Sequence, residues 1–248
     1  MYGKNLQKWR CTLKKELLLT IGHSIVYEAE ERRWTPSGLY QPIITPKSPD
    51  DRIVRTHMSI PHMTGNEPFA YLGGGQIVLR ALSCLNATTS NAEIAIIGGR
   101  PQSMDDQFRP EIIDGVTEAS VMAEYFNMVS ARKPKFVVGG TKTTQDDMRA
   151  MLDLALLYST TTVVVMDFRI ERCRLHMLDT MYQFPQYAGL ERTIEFMAAE
   201  DLLPHLRGAF HEMKKSAAFT RTMVQENFGI AKLKENLGFK HELNGIKF

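Results

Sequence analysis

The sequence predicts an α/β protein built on a doubly wound, mostly parallel sheet, and three observations support this prediction. Short, continuous apolar runs alternate with segments of helical periodicity, a pattern typical of strands buried on both faces of a parallel sheet. Three of the runs end on glycines, at Gly73-Gly74-Gly75, Gly98-Gly99 and Gly139-Gly140. Ligands bind at the carboxyl ends of strands in open α/β sheets, so these glycines predict a ligand-binding edge.

The strands follow from the apolar runs and the helices from the segments between them. Strands are predicted at residues 70–72, 94–97, 136–138, 162–165 and 193–197. Apolar residues recur at helical spacing in the segments 77–85, 121–129 and 148–156, which predicts helices. Right-handed crossovers between parallel strands would bring the glycine turns to one edge of the sheet.

Both ends of the chain are predicted to be helical extensions. Residues 6–33 carry apolar side chains at helical spacing and predict an amphipathic helix on the domain body, with a membrane or partner surface as the alternative. Four prolines in residues 35–51 predict an extended connector. The C-terminal segment is predicted to be helical, with breaks at Gly208, Gly229 and Gly238. The domain boundaries are therefore placed at 1–68 for the helix and connector, 69–201 for the α/β ligand-binding domain, and 202–248 for helices that belong to the same domain.

Composition excludes several classes of protein. Of the 248 residues, 44% are hydrophobic and 23% are charged, and the net charge is +2, which is ordinary for a globular protein and gives no support for a nucleic-acid partner. No apolar run approaches the ~20 residues of a membrane helix. Cys11, Cys84 and Cys173 are far apart and form no CxxC pair, which favours reduced thiols and a cytoplasmic location.

The first glycine run lies between a predicted strand and a helix. Backbone N–H groups and the helix dipole at such a turn attract phosphate or carboxylate. The run fits neither a GxGxxG fingerprint nor a P-loop, and a tight turn without a ligand is the alternative. Thr141 and Thr144 follow the third turn, where Thr143 with Asp146, or Thr144 with Asp147, would cap a helix.

Charged residues are predicted at the same edge. Glu118 opens a helix, where the dipole alone would favour it, and there it can bind a ribose hydroxyl, hold a metal or act as a base. Arg169, Arg172 and His176 share one helix face; the arginines suit anion binding, with pairing to Asp167 or Glu171 as the alternative. The segment 100–115 is predicted to be a solvated lid, with a Mg²⁺ or Ca²⁺ site at Asp105 and Asp106 as the alternative.

The order of these motifs resembles the bacterial YdcF/SanA-like family over residues 69–200. The matching pieces are Leu72-Gly73-Gly74-Gly75, Gly98-Gly99, Glu118-Ala119, Thr143-Thr144-Gln145-Asp146-Asp147 and Arg169-Ile170-Glu171-Arg172-Cys173. Arg169 stands where the family has a histidine, so an acid–base role of that histidine does not transfer. The resemblance implies a Rossmann-like domain with a small-molecule pocket, and binding of S-adenosylmethionine or a nucleotide-like ligand.

Together these observations predict an enzyme that binds a phosphorylated or nucleotide-like molecule, with transferase or hydrolase activity. A non-catalytic ligand-binding or regulatory protein is the second hypothesis, because no nucleophile motif is present. A methyltransferase is a third, disfavoured because no acid follows Gly98-Gly99. The predicted site comprises Glu118 as the catalytic residue, no metal ligand, and these ligand-binding residues: Gly73, Gly74, Gly75, Gly98, Gly99, Arg100, Gly139, Gly140, Thr141, Thr144, Asp167, Arg169 and Arg172.

Overall fold

The computed structural model describes residues 15–22, 25–28, 31–37, 41–42, 54–55, 69–70, 74–89, 91–100, 110–215 and 217–243. The strands are β1 (Lys15–Ile21), β2 (Ile25–Glu28), β3 (Arg33–Pro36), β4 (Gln41–Pro42), β5 (Val54–Arg55), β6 (Phe69–Ala70), β7 (Glu93–Ile97), β8 (Phe136–Val138), β9 (Ser159–Met166) and β10 (Ile194–Ala198). The helices are α1 (Gly75–Thr88), α2 (Pro110–Ile113), α3 (Glu118–Val129), α4 (Thr144–Tyr158), α5 (Ile170–Gln183), α6 (Ala199–Leu202), α7 (Arg207–Lys215) and α8 (Ala217–Leu243).

A five-stranded sheet forms the centre of the fold, in the order β10-β9-β1-β7-β8. Every pair of neighbours in it is parallel, which confirms the predicted α/β class. Read from β8 to β10 and counted along the chain, the order is third, second, first, fourth and fifth strand, which is the order of doubly wound sheets. The order reverses between β1 and β9, and in such sheets the crevice outside these two strand ends is where ligands bind.

The sheet is buried on both faces because its strands carry apolar side chains on both. One face, with Leu18, Ile96 and Val165, packs under α1, α3 and α6. The other face, with Leu19 and Val164, packs under α4 and α5. Burial of both faces explains why β7 and the second half of β9 are continuous apolar runs rather than alternating ones.

The predicted N-terminal helix over residues 6–33 was wrong for the residues that the structure describes; residues 1–14 lie outside them. Residues 15–36 contribute three strands, and β1 is the middle strand of the sheet. Three consecutive residues of β1 are at most 1% exposed: Leu17, Leu18 and Leu19. An amphipathic helix buries only one of its faces and could not bury three consecutive side chains in this way. A domain boundary at residue 68 is therefore not observed, because β1 belongs to the α/β core.

Two further predictions need correction. The run before the first glycines does not join the main sheet: β6 pairs antiparallel with β4, and residues 71–73 lie outside the described ranges. The C-terminal helices do not break at glycines, since Gly208 lies inside α7 and both Gly229 and Gly238 lie inside α8. No described helix is both long and apolar enough to cross a membrane.

Candidate functional site

Glu118 lies at the centre of the carboxyl edge of the sheet. The helix α3 begins at this residue, with Thr117 as its N-cap in a capping box with Ser120. The backbone N–H of Glu118 donates to the carbonyl of Gly99 at 2.9 Å, which ties the start of α3 to the end of β7. The side chain reaches the end of β1, where a Cβ added to Gly22 would lie 2.2 Å from its Oε2 atom. A larger residue at position 22 would therefore displace the Glu118 carboxyl group.

The glycines after β7 and β8 provide space for other protein segments. A Cβ at Gly99 would lie 1.5 Å from the carbonyl oxygen of Thr141, and one at Gly139 would lie 2.6 Å from Oγ1 of Thr117. At Gly98 the nearest atom would be Cα of Gly22, at 2.9 Å. Gly140 differs, since no described atom lies within 4 Å of its added Cβ. Close packing of the loops thus explains three of the four glycines without a ligand.

The predicted anion turn at the start of α1 is occupied by the protein itself. Gly74 is the N-cap with a left-handed φ of 69°, a conformation that glycine adopts without strain. The N–H of Gly75 donates to Oγ of Ser37 at 3.3 Å, and the N–H of Gln76 donates to its carbonyl at 3.0 Å. Ser37 is fully buried, so these two amides are engaged; Gly73 lies outside the described residues.

Two carboxyl groups with displaced pKa values lie at this edge. Burial, and secondarily the negative charge of Asp147, raises the pKa of Glu118 well above its usual range, while the Arg169 guanidinium opposes the shift. Burial raises the pKa of Asp147 to about 6, although the hydroxyl of Thr141 acts in the opposite direction. Within the described part of the chain, neither Asp147 Oδ1 nor Thr141 Oγ1 forms a hydrogen bond of ordinary geometry. A carboxyl group with a pKa of about 6, as at Asp147, can exchange protons near neutral pH.

Asp167 and Arg169 connect the carboxyl cluster to the end of β9. The Asp167 carboxylate accepts hydrogen bonds from the backbone N–H of Arg169 at 3.0 Å and from its Nε at 3.0 and 3.1 Å. The alternative of pairing between Arg169 and Asp167 is therefore what the structure contains. The positive charge of Arg169 also opposes the rise in the pKa of Glu118. The same arginine therefore pairs with Asp167 and acts electrostatically on Glu118.

The other predicted ligand-binding side chains have protein partners or face solvent. Arg172 donates a hydrogen bond to Glu226 on α8 at 3.0 Å. This partner was not predicted, since the alternatives were an anionic ligand and pairing with Asp167 or Glu171. Arg100 donates to the carbonyl of Ile113 at 3.0 Å, at the end of α2. Thr144 is exposed at the first position of α4, and the capping box uses Thr143 with Asp146.

A cavity of about 340 Å³ lies at the carboxyl ends of β9 and β10. Its floor is formed by the N-terminus of α1 and by the segment after β9, and its cover is formed by α7 and α8. Most of the wall is apolar, and the rings of Phe168 and Phe219 meet edge to face with centroids 5.4 Å apart. The lining residues are Gly74, Ile77, Asp167, Phe168, Ile170, Ala198, Ala199, Glu200, Phe210, Met213, Lys214, Phe219 and Met223.

Of the predicted site residues, this cavity contains Gly74 and Asp167. The cluster around Glu118 brings together Gly98, Gly99, Thr141 and Arg169 beside it. Sequence reasoning missed the aromatic and methionine wall contributed by α7 and α8. The available signal was the apolar spacing of residues 210–223, which indicated helices but not that they cover the sheet edge.

Two remaining observations limit the chemistry of the described residues. Cys84 and Cys173 are free thiols, and burial raises the pKa of Cys173 to about 12, which leaves it unreactive; Cys11 lies outside the described ranges. No group of three or more metal-ligating side chains converges among the residues described.

This chain matches no protein-family profile, no curated protein and no solved structure.

Proposed function

We propose that the protein is an enzyme that binds a small, nucleotide-like molecule in the cavity above β9 and β10 and acts on it by group transfer or hydrolysis. The position of the cavity is the observation that carries the proposal. The volume of about 340 Å³ falls in the range of roughly 300–1,000 Å³ that is usual for small-molecule sites. It lies beside the reversal of strand order, where doubly wound proteins bind their ligands.

The lining indicates the chemistry of the ligand. Phe168, Phe210 and Phe219 offer ring surfaces to a flat, mostly apolar body such as a nucleobase. The polar groups are few: Asp167 at the end of β9, and the Lys214–Glu200 ion pair at 2.7 Å, whose side chains are both partly exposed. Lys214 is the lining side chain that suits an anionic substituent, and binding there would compete with Glu200.

The neighbouring carboxyl groups support an enzymatic role. Asp167, which lines the cavity, is hydrogen-bonded to Arg169, and that arginine acts electrostatically on Glu118. A pocket next to carboxyl groups with strongly displaced pKa values is the usual signature of an active site. We assign proton transfer during the reaction to the pair Glu118 and Asp147.

A non-catalytic ligand-binding protein is the second candidate, and one observation favours it. Glu118 is 4% exposed, and its carboxylate is packed against Gly22 rather than lining the cavity. In this case the same ligand would bind without turnover, and the raised pKa of Glu118 would reflect burial alone.

The test combines binding with turnover. Purified protein is titrated by calorimetry with adenosine, adenosine monophosphate, S-adenosylmethionine and S-adenosylhomocysteine. Met223→Trp, which fills the cavity, should abolish binding of any ligand found, whereas Met128→Trp, on a side chain 71% exposed on α3, should leave it unchanged. Equal affinities of the two variants would contradict the cavity as the site.

Turnover of the bound ligand is then followed by chromatography for wild type and Glu118→Gln. Product formation by wild type that is lost in Glu118→Gln, with binding retained, supports the enzyme. Binding without any product supports the second candidate.

A further inference from the structure

The inner face of α8 has the spacing of a coiled-coil seam, interrupted by one charged residue. The residues that face the body are buried or half-buried and follow steps of four and three: Phe219, Met223, Glu226, Ile230, Leu233 and Leu237. The helix α8 packs against α5, which Glu226 of the seam contacts through Arg172. Apolar side chains at such spacing give attraction but define the axial position of a helix poorly, because a shift by one turn presents similar groups.

Glu226 is the charged member of the seam, and it is held by Arg172 of α5. Its Oε2 accepts a hydrogen bond from Nη1 of Arg172 at 3.0 Å, and the Glu226 side chain is 2% exposed. Gly229 follows on the same side of α8, where an added Cβ would lie 3.6 Å from the guanidinium carbon. A second pair, Lys234 with Glu171 at 2.9 Å, joins the same two helices nearer the surface.

The position of α8 along α5 determines the cover of the cavity. Met223 and Phe219 lie about one and two turns before Glu226, and both line the cavity. A slip of α8 by one turn would move these side chains by about 5.4 Å, which is enough to replace them with other residues. The cavity wall therefore depends on the axial register of α8.

We infer that the Arg172–Glu226 pair sets the register of α8 and so positions Phe219 and Met223 in the cavity wall. Arg172 is thus a positioning residue for the ligand, and its guanidinium is engaged by the protein. The carboxylate of this pair is buried, while the Arg172 side chain is 41% exposed. Ion pairs that bury a charge are weak sources of net stability, and fixing helix register is their best-attested use. The inference rests on the proposed function because it concerns the same cavity.

The two roles of Arg172 make opposite predictions for Glu226→Gln. If Arg172 bound an anionic ligand directly, removal of the competing carboxylate would free the guanidinium and strengthen the binding of anions. If Arg172 acts through α8, removal of either partner weakens the binding of ligands regardless of their charge. The variant at Glu226 therefore separates hypotheses that a variant at Arg172 alone does not.

The experiment uses the full chain and two fluorescent probes of similar shape, neutral N-phenyl-1-naphthylamine and anionic 8-anilinonaphthalene-1-sulfonate. Probe affinity and the urea midpoint are measured for Glu226→Gln, Arg172→Met and the double variant Arg172→Met with Glu226→Leu. Glu235→Gln, on the exposed side of α8, is the control. If Arg172→Met does not fold, Glu226→Gln carries the test.

We expect both single variants to bind both probes about tenfold more weakly, corresponding to about 1.4 kcal/mol, and the control to match wild type. The double variant should recover the urea midpoint, since apolar residues can replace an ion pair whose carboxylate is buried, yet keep the weak probe affinity. Unchanged or stronger binding in Glu226→Gln, or recovery of affinity in the double variant, would overturn the inference. If Met223→Trp binds the probes as tightly as wild type, the cavity is not the binding site. That result would instead refute the proposed function.

Discussion

Replacement of Gly99 by alanine tests whether the glycines of the sheet edge serve packing or ligand approach. A Cβ at this position would lie 1.5 Å from the carbonyl oxygen of Thr141, and real Cβ atoms essentially never come closer than 3.0 Å to such an atom. The two loops would have to separate by about 1.5 Å, the difference between these distances. The obstructing atom belongs to the backbone, so no rotamer change relieves the contact.

The expected cost is at the top of the range for overpacking. Inserted carbon atoms usually destabilise by about 1–3 kcal/mol, and a backbone clash of this depth should cost at least about 3 kcal/mol. The separation would also strain the hydrogen bond from the N–H of Gly98 to the carbonyl of Val138, which is 3.0 Å long. Gly140→Ala is the matched control because no described atom lies near its added Cβ. Neither glycine has positive φ. Gly140→Ala should therefore leave the free energy of unfolding unchanged or raise it by up to about 1 kcal/mol.

Urea denaturation of wild type and both variants measures the difference, with equal slopes required for the comparison. We expect Gly99→Ala to be less stable than Gly140→Ala by about 3–4 kcal/mol. Equal midpoints for the two variants would refute the packing argument. If Gly99→Ala then kept its stability but lost ligand affinity, the glycine would serve ligand approach, as the sequence pattern predicted.

Two further predictions concern the start of α4. Because burial raises the pKa of Asp147 from 3.8 to about 6, the native state holds this proton more tightly than the unfolded chain, and stability falls as pH rises from about 4 to about 6. Asp147→Asn should remove this fall and raise the free energy of unfolding at pH 8 by up to about 3 kcal/mol, two pKa units at about 1.4 kcal/mol each. Asp146→Asn should instead lower the free energy of unfolding at pH 8, since the Thr143 hydroxyl lowers the pKa of Asp146. Urea midpoints measured at pH 4 and pH 8 test both variants. Midpoints that change in the same direction in the two variants would contradict these opposite roles. Thr143→Ala should cost about 1 kcal/mol through loss of the N-cap, while Thr144→Ala, at an exposed position, should stay within about 0.5 kcal/mol. Thermal unfolding of the two threonine variants decides which hydroxyl caps the helix, and a larger loss in Thr144→Ala would reverse the choice.

Much of the α/β core could be predicted because its signals are local. The runs at β7 and in the second half of β9 are apolar without alternation, and burial on both faces requires this composition. The start of α3 at Glu118 and the capping residues of α4 are likewise local, because caps depend on side chains within one turn. Glu118 and Asp167 were predicted as edge residues for the same reason, since each lies at the end of an element.

The N-terminus shows where local reasoning stopped. Leu13, Leu17, Ile21 and Ile25 fit a helical period, while Leu17, Leu18 and Leu19 also fit a buried strand. Pairing with both β7 and β9 decided between them, because only a central strand buries every side chain of the run. The antiparallel pairing of β6 with β4 was equally undetermined, since its partner lies far along the chain.

By itself, the sequence determined four of the five strands of the central sheet, the start of α3, and that one edge of the sheet carries glycines and acids. Only the tertiary structure decided that Ser37 accepts a hydrogen bond from an amide of the first glycine turn and that Glu226 pairs with Arg172. It also decided that α7 and α8 cover a cavity at the ends of β9 and β10. The reason is physical: secondary structure depends on neighbours within a few residues, whereas a site depends on groups that approach from distant parts of the chain. Whether a glycine or an arginine is open to a ligand depends on what else the fold brings to it.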